Sequence, residues 1–399
     1  MMILRRAFAT NRNNAMVLNC GSSSVKYQFF DNDHSIITGS IENIGNSNCV
    51  HKQGGHRQST IPLSGPDASY EGAIKLAIST VSSEMKDGEI FCVGHRVVHG
   101  GPSLVKPTLI SSQVFEEIQN CASLAPLHNP SNIRGIQLAS AFIKTAPQVA
   151  CFDTAFHSKM PSKAFRYAIP TGIAEKFKVR RYGFHGMSYS YIASVVKESR
   201  MIVAHLGSGC SAAAMIDGVG IDTTMGFTPM EGLVMSTRAG TVDPGLIFHL
   251  FPEVKDLSNV LNKQSGLLGL TGGISSDMKT LLDMEKMGGP KGDIAHDAIE
   301  VFVYTVQKYI GQLMASLEFN VDAIVFTGGI GENSAAIRER VLAGMGGAGV
   351  SLDTARNNSV PKDGLISMPN SKIRIYAVKT NEELQIARDS IRVANEMST

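Results

Sequence analysis

Three short glycine- and hydroxyl-rich segments stand where an anion could be held. They are Gly21–Ser24, Gly207–Ser211 and Gly328–Asn333. Each follows an apolar run that reads as a strand. Glycine lets the backbone approach a ligand closely, turns of this kind point N–H groups outward, and serine hydroxyls add further donors. One such turn is an ordinary hairpin; three in one chain point to phosphate. The sequence contains no G-x-x-x-x-G-K-[ST] segment, which excludes a P-loop. Gly344–Gly349 matches G-x-G-x-x-G but follows a helical rather than an extended segment, the wrong context for a dinucleotide site. Protein-kinase H-R-D and D-F-G segments are also missing.

Arginines and histidines accompany these turns. Gly94-His95-Arg96-Val97-Val98-His99-Gly100-Gly101 reads as a strand ending in a glycine pair, with His95, Val97 and His99 on one face and Arg96 on the other. The H-x-x-x-H spacing has no third ligand nearby, so metal binding is the weaker reading; Arg96 is placed to meet an anion or to form a structural ion pair. His128, Asp153, His157, His185, Glu231, Arg238 and Asp243 lie among apolar and turn residues, where an unpaired charge costs several kcal/mol. Two arginines, several histidines and an aspartate beside phosphate-type turns suit phosphoryl transfer. That reaction spreads negative charge over three equatorial oxygens and asks for positioning, donors and Mg²⁺. Arginine supplies a permanently charged planar fork, and histidine donates without permanent charge.

The elements that must carry these groups alternate between extended and helical. Met16–Asn19 and Val25–Phe30 flank the first turn; Met201–Leu206 and Ala212–Ile216 flank the second. The recurrence predicts an internal duplication. Apolar residues at three- and four-residue spacing predict a helix over Tyr70–Met85 and a long one through Ala298, Phe302, Val306, Tyr309, Leu313 and Leu317. Ile90–Val98 and Val321–Phe326 read as strands, and Ile192–Val196 as part of a helix. A further helix is expected from about Ser334 to Ala343 with Asn333 as N-cap, while Gly45–Pro66 is the most loop-like stretch. The mixture predicts an α/β fold.

The chain has 399 residues, 43% apolar and 18% charged, with a formal net charge of +2. It has the length of two or three domains and the composition of a globular protein. A near-neutral balance gives no field for nucleic acid or anionic lipid, and no apolar run reaches the roughly 18 residues of a membrane helix, so neither partner is expected. Six scattered cysteines (20, 49, 92, 121, 151 and 210) read as buried reduced thiols in a reducing compartment. The first fifteen residues contain Arg5, Arg6 and Arg12 and no acid. They read as a disordered leader of the transit-peptide kind, which would direct the chain to a mitochondrion or related organelle; otherwise the cytoplasm is expected, with Met16 as an alternative start.

Taken together, these segments resemble the acetate kinases. The likeness runs from about Met16 to the end of the chain. It is carried by Asn19-Cys20-Gly21-Ser22-Ser23-Ser24-Val25-Lys26, by Gly226–Gly232 with Thr237-Arg238, by Gly94–Gly101, Phe152–His157 and Gly329–Asn333, and by Thr380-Asn381-Glu382-Glu383-Leu384. The resemblance implies two duplicated domains of the sugar-kinase/actin/heat-shock ATPase (ribonuclease H-like) superfold around a central cleft, and a homodimer. The implied boundaries are 16–155 plus 382–399 for the N-terminal lobe and 156–381 for the nucleotide-binding lobe. It also implies ATP/ADP and acetate/acetyl phosphate as substrates, with Mg²⁺, or Mn²⁺ in its place. Carried over residue by residue, Asn19 and Glu382 would hold the metal and Lys26 would reach a nucleotide phosphate. Arg96 and Arg238 would clamp the acyl phosphate, and His185 would donate to the transition state with His128 as neighbour. Asp153, the family's catalytic acid, would orient Mg²⁺ and its waters, because acetate is already ionised at pH 7. His205, Leu206, Gly207, Ser208 and Gly209 would cradle nucleotide phosphates, together with Gly329, Ile330, Gly331, Glu332 and Asn333. Asp277, Met278 and Lys279 would lie by the nucleoside. Val97, Leu127, Phe184 and Pro229 would form the acyl pocket.

Two positions depart from the family pattern. Ser208 replaces the usual Asn of the second turn, and Lys279 replaces an Arg. Both are on the nucleotide side, which leaves pyrophosphate open as donor. Propionate or butyrate kinase is a further reading, and a non-catalytic ATP-binding module of the same superfold is another.

Overall fold

The computed structural model describes residues 13–55, 58–85 and 89–397. The chain divides into two compact units, Met1–Ala155 with Asn381–Thr399, and Phe156–Thr380.

The first unit is built on an eight-stranded sheet. In chain order its strands are β1 (Asn14–Cys20), β2 (Ser24–Asp31), β3 (His34–Glu42), β4 (Val50–Gly55), β5 (Ser59–Pro62), β6 (Cys92–Val97), β7 (Thr108–Leu109) and β8 (Gln148–Phe152). The spatial order is β5-β4-β3-β2-β1-β6-β8-β7. β1 to β5 run as an antiparallel meander, and β6 and β8 lie parallel to β1. One face of the sheet buries Met16, Leu18, Val25, Tyr27 and Ile41 against Ala73, Ile74, Ala77 and Val81 of helix Tyr70–Glu84. Ser69 caps that helix, its hydroxyl accepting the Gly72 N–H at 3.0 Å, a bond worth about 1 kcal/mol. Helix Glu382–Glu396 returns from the far end of the sequence to pack on β6, β1 and β8. Gly94 makes this possible: a Cβ there would stand 2.4 Å from Ser390 Oγ and 2.7 Å from Ile386 Cγ2.

The second unit has five strands: β9 (Arg200–Leu206), β10 (Cys210–Ile216), β11 (Val219–Thr223), β12 (Ala323–Thr327) and β13 (Arg374–Ala377), in the order β11-β10-β9-β12-β13. Again a three-stranded antiparallel meander is extended by two parallel strands. This order matches β3-β2-β1-β6-β8, so the duplication expected from two strand–turn–strand units extends through both sheets. It is the ribonuclease H-like arrangement. Helix Gly186–Val195 buries Tyr189 and Ile192 against Met201, Val203, Ala213 and Val325. The long helix Gly289–Ser316 packs against β9, β10 and β11.

Several expectations need correction. Gly45–Pro66 contains β4 and β5 rather than a loop; β4 is largely half-buried and β5 largely exposed, so they carry little apolar alternation and form through backbone pairing, β4 to β3 and β5 to β4. Asn333 is the last residue of a short helix, Gly328–Asn333, and the next helix, Ala335–Leu342, is capped by Ser334, which accepts the Ile337 N–H. The leader reading covers residues 1–15, of which 1–12 lie outside the described residues, and its last two residues belong to β1. Ala15 is fully buried, and Asn14 Oδ1 accepts the Phe91 N–H at 2.8 Å. The six cysteines are buried and stand outside any disulfide, and burial pushes the Cys20, Cys92 and Cys210 thiols up to about 12. No helix among the described residues is long and apolar enough to cross a membrane.

Candidate active site

In the first unit the expected site residues Arg96 and Asp153 lie where parallel strands end. Arg96 is the penultimate residue of β6, and Asp153 directly follows β8, its N–H donating to Val97 O at 3.1 Å. Arg96 forks onto this carboxylate, Nε to Oδ1 at 3.2 Å and Nη2 to Oδ2 at 2.7 Å. Its Nη1 stands 3.9 Å from Glu382 Oε2. Glu382 opens its helix behind Asn381, whose Oδ1 accepts the Leu384 N–H at 3.0 Å. Burial works against the Arg96 charge, but Asp153 and Glu382 outweigh it and raise its pKa. For Glu382 burial dominates, seconded by Asp153 and Glu383 against the pull of Arg96, and its pKa is pushed up to about 7. Asn19 and Lys26 face each other across the β1–β2 hairpin on one face of the sheet, and the turn closes by Gly21 N–H to Ser24 O at 2.8 Å.

The structural ion pair weighed for Arg96 is therefore present, with Asp153 as its partner. Asp153 spends both oxygens on Arg96, which makes it the group that aims the guanidinium. Among the described residues no three His, Cys, Asp or Glu side chains are grouped to hold a metal by themselves. Mg²⁺ asks for less, one or two carboxylates with water and phosphate oxygens completing its shell. Glu382, partly buried and with its negative charge disfavoured there, fits such an ion, and Asn19 offers a neutral oxygen.

In the second unit the hairpin turn between β9 and β10 is the focus. Gly207 N–H donates to Gly209 O at 3.1 Å, and Ser236 N–H to Ser208 O at 3.1 Å, which ties the segment carrying Arg238 to the turn. A Cβ at Gly209 would lie 3.3 Å from His185 Nε2 and 3.7 Å from Arg238 Nη1; one at Gly207 would lie 3.7 Å from His205 Nε2 and 3.8 Å from Gly329 N. Four segments thus meet at one turn. His185 sits at the N-cap of helix Gly186–Val195 in the left-handed region, φ 57°, where a non-glycine residue is held only by its surroundings. Its ring stacks on His205 with centroids 4.3 Å apart. Nδ1 of His185 is 2.8 Å from Ser211 Oγ, and Nδ1 of His205 is 2.9 Å from Ser188 Oγ. Arg238 Nη1 donates to Pro229 O at 3.0 Å. Behind this group Glu231 accepts from Tyr167 and from Arg181 Nη2, and His157 Nε2 donates to Phe184 O at 3.0 Å.

Other expected residues are placed differently. Glu332 turns its carboxylate onto its own helix start: Oε1 accepts the N–H groups of Gly328 and Thr380 at 3.0 and 2.9 Å. Asp277 caps helix Met278–Met287 by accepting the Thr280 N–H, and Met278 is buried in the core while Lys279 is exposed. Val97 packs in the core with Leu104, Ile136 and Phe152, whereas Leu127 is 49% exposed. Phe184 is buried, and Pro229 and His128 are half-buried. His95 bonds Gln148 Oε1 at 2.7 Å, and His99 Nδ1 accepts the Gly101 N–H, which accounts for the H-x-x-x-H pair without a metal. Gly344–Gly349 forms a short turn after helix Ala335–Leu342, not a strand-to-helix loop.

One residue that braces an expected site segment escaped sequence reasoning. Arg338 is 1% exposed, donates through Nη1 to Gly331 O and Glu332 O at 2.8 and 2.9 Å, and is anchored by Nε and Nη2 to Asn357. It grips the carbonyl end of the Gly328–Asn333 helix. Only its helical register, placing it on the buried face beside Ile337 and Val341, could have flagged it.

Residues 14–388 match the family model described as Acetokinase family. The chain belongs to the acetokinase family. It is 44% identical to an acetate kinase of Halothermothrix orenii, the match covering 95% of this chain and 98% of that one. Among solved structures it is similar to a propionate kinase from Francisella tularensis, at 39% identity with TM-score 0.89 over 96% of this chain and all of the other. It is also similar to Porphyromonas gingivalis acetate kinase, at 36% identity with TM-score 0.87 over 96% and 99%.

Proposed function

We propose that this acetokinase transfers a phosphoryl group reversibly between ATP and acetate, giving acetyl phosphate and ADP. The observation that carries the reading is the convergence of His185, His205 and Arg238 on the Gly207–Gly209 turn. A module that only binds nucleotide has no use for a guanidinium and a pair of imidazoles there. A carboxylate oxygen of acetate attacks the terminal phosphorus in line, and the bond to the bridging oxygen breaks, its electron pair leaving with ADP. Acetate needs no base. Arg238 and His185 stabilise the charge on the equatorial oxygens, and the turn and the Gly328–Asn333 helix start offer N–H donors to the remaining phosphates. Arg96, aimed by Asp153, meets the carboxyl side. Glu382 and Asn19 would hold Mg²⁺ or Mn²⁺, which supplies charge neutralisation on the phosphates when bound.

The test is acyl-hydroxamate formation from acetate, ATP and hydroxylamine, dependent on Mg²⁺. Arg96→Ala and Arg238→Ala are each expected to lower kcat at least about 10²-fold, the usual cost of one transition-state donor. Nucleotide binding without hydroxamate would instead identify the non-catalytic module. Propionate is expected to react too, since one methylene changes discrimination by only about 1–3 kcal/mol. Initial rates with acetate, propionate and butyrate against ATP, GTP and pyrophosphate rank acceptor and donor, with Ser208 and Lys279 the positions to exchange.

A homodimer is part of the proposal. Phe248 and Phe251 are 77% and 69% exposed, and Ile294, Val301 and Tyr304 are exposed along one stripe of the long helix. Light scattering of the purified chain and of Phe248→Asp tests it. The arginine-rich leader is proposed to direct import into a mitochondrion or related organelle, with the cytoplasm as the site if it is retained; sequencing the mature N-terminus decides.

A further inference from the structure

Two hydroxyl chains end on the Nδ1 atoms of the stacked histidines. One runs from Tyr189 Oη to Ser211 Oγ at 2.5 Å and on to His185 Nδ1 at 2.8 Å. The other runs from Thr380 Oγ1 to Ser188 Oγ at 2.9 Å and on to His205 Nδ1 at 2.9 Å. Tyr189 and Ser211 are fully buried, and the reaction as described gives Tyr189 nothing to do.

We propose that Tyr189, acting through Ser211, is a positioning residue that keeps His185 in the neutral tautomer protonated at Nε2. The inference rests on reading His185 as a donor to the transferring group. A phenol is far more acidic than an aliphatic hydroxyl, so in the close Tyr189–Ser211 pair the phenol donates. Serine has a single hydrogen, and with its oxygen accepting from Tyr189 that hydrogen is directed at its other partner, His185 Nδ1. A neutral imidazole that accepts at Nδ1 carries its proton at Nε2. Nε2 is the nitrogen that reaches the Gly209 turn, 3.3 Å from where a Cβ would be. The opposite tautomer would turn a lone pair toward a phosphoryl oxygen and repel it. A doubly protonated ring would place a second cation beside Arg238, which faces the same point from 3.7 Å. The relay supplies a donor and avoids both. The left-handed backbone at His185 and the stack on His205 hold the ring in the orientation the relay requires.

Tyr189→Phe isolates the hydroxyl, because it keeps the ring that packs 5.7 Å from Phe156 and 5.5 Å from His157. Steady-state kinetics are expected to show kcat lowered roughly ten-fold, about one hydrogen bond's worth, with both KM values within about two-fold of native. Ser211→Ala should lose as much, and the double variant no more than either single. ¹⁵N NMR of histidine-labelled protein should report His185 protonated at Nε2 in the native chain and a mixture of tautomers in each variant. The proposal is overturned by a native His185 protonated at Nδ1, by native kcat in Tyr189→Phe, or by losses that multiply in the double variant. If Tyr189→Phe does not fold, the native spectrum and Ser211→Ala still decide. Should His185→Ala retain native kcat, the donor reading of His185 fails, and the tautomer measurement continues to judge the relay separately.

Discussion

Single atoms set the terms at both ends of the proposed chemistry. Gly209 has no Cβ, and the space this leaves is bounded by His185 Nε2 and Arg238 Nη1. Gly209→Ala adds a methyl group without a forbidden backbone angle, so the chain should fold and melt near the native temperature while kcat falls at least about ten-fold through displaced donors. Native turnover in that variant would remove the turn from the reaction. Arg96 and Asp153 behave as one unit. Arg96→Ala strands a buried carboxylate, and the urea midpoint should drop by the equivalent of about 3–5 kcal/mol. Arg96→Ala combined with Asp153→Ala should recover much of that stability and none of the activity. At this scale the sequence was informative about residue type and silent about commitment. Arg96, Asp153, His185 and Arg238 stood out because charge amid apolar and glycine-rich neighbours demands a partner. That Glu332 and Asp277 spend their carboxylates on nearby backbone N–H groups depends on side-chain directions no spacing reveals.

Elements decide where those atoms stand. Helix Glu382–Glu396 brings Glu382 to Arg96 because Gly94 lets it lie directly on β6. Gly94→Ala forces the helix outward, an overpacking that costs about 1–3 kcal/mol, and activity should fall with stability. Ser390→Gly in the same chain should restore part of both, which a thermal melt and a hydroxamate assay would read together. The Gly328–Asn333 helix depends likewise on Arg338, whose burial lowers its pKa to about 10 without a carboxylate in its hydrogen-bond set. Arg338→Lys keeps the charge but not the fork, and the KM for nucleotide should rise more than that for acetate. Strongly periodic helices and buried strands were legible in the sequence. β4 and β5 were not, because an outer strand needs no apolar alternation, and the cap at Ser334 was missed by one residue because Asn333 offers the same kind of oxygen.

Across the whole molecule both units share one sheet order, and both bury histidines. Burial pushes the pKa of His95, His99 and His157 down to about 4. The unfolded chain takes up these protons near pH 6.5. Between pH 6.5 and about 4 the unfolded state therefore binds protons that the folded state refuses, and stability falls as pH is lowered through that window. The slope is up to about 1.4 kcal/mol per pH unit for each histidine, and above the window these groups contribute no slope. The urea midpoint should drop between pH 7 and pH 5, and His95→Gln should shallow the decline; a midpoint that does not move contradicts the assignment. The first unit also draws its last helix from residues 382–396, after the whole second unit has been made. On the ribosome its sheet waits with β1, β6 and β8 uncovered, so a nascent chain released before Glu382 would present raw apolar surface to chaperones and proteases. Translation must run through the second unit before the first can close, and an unfinished product is both inert and marked for removal.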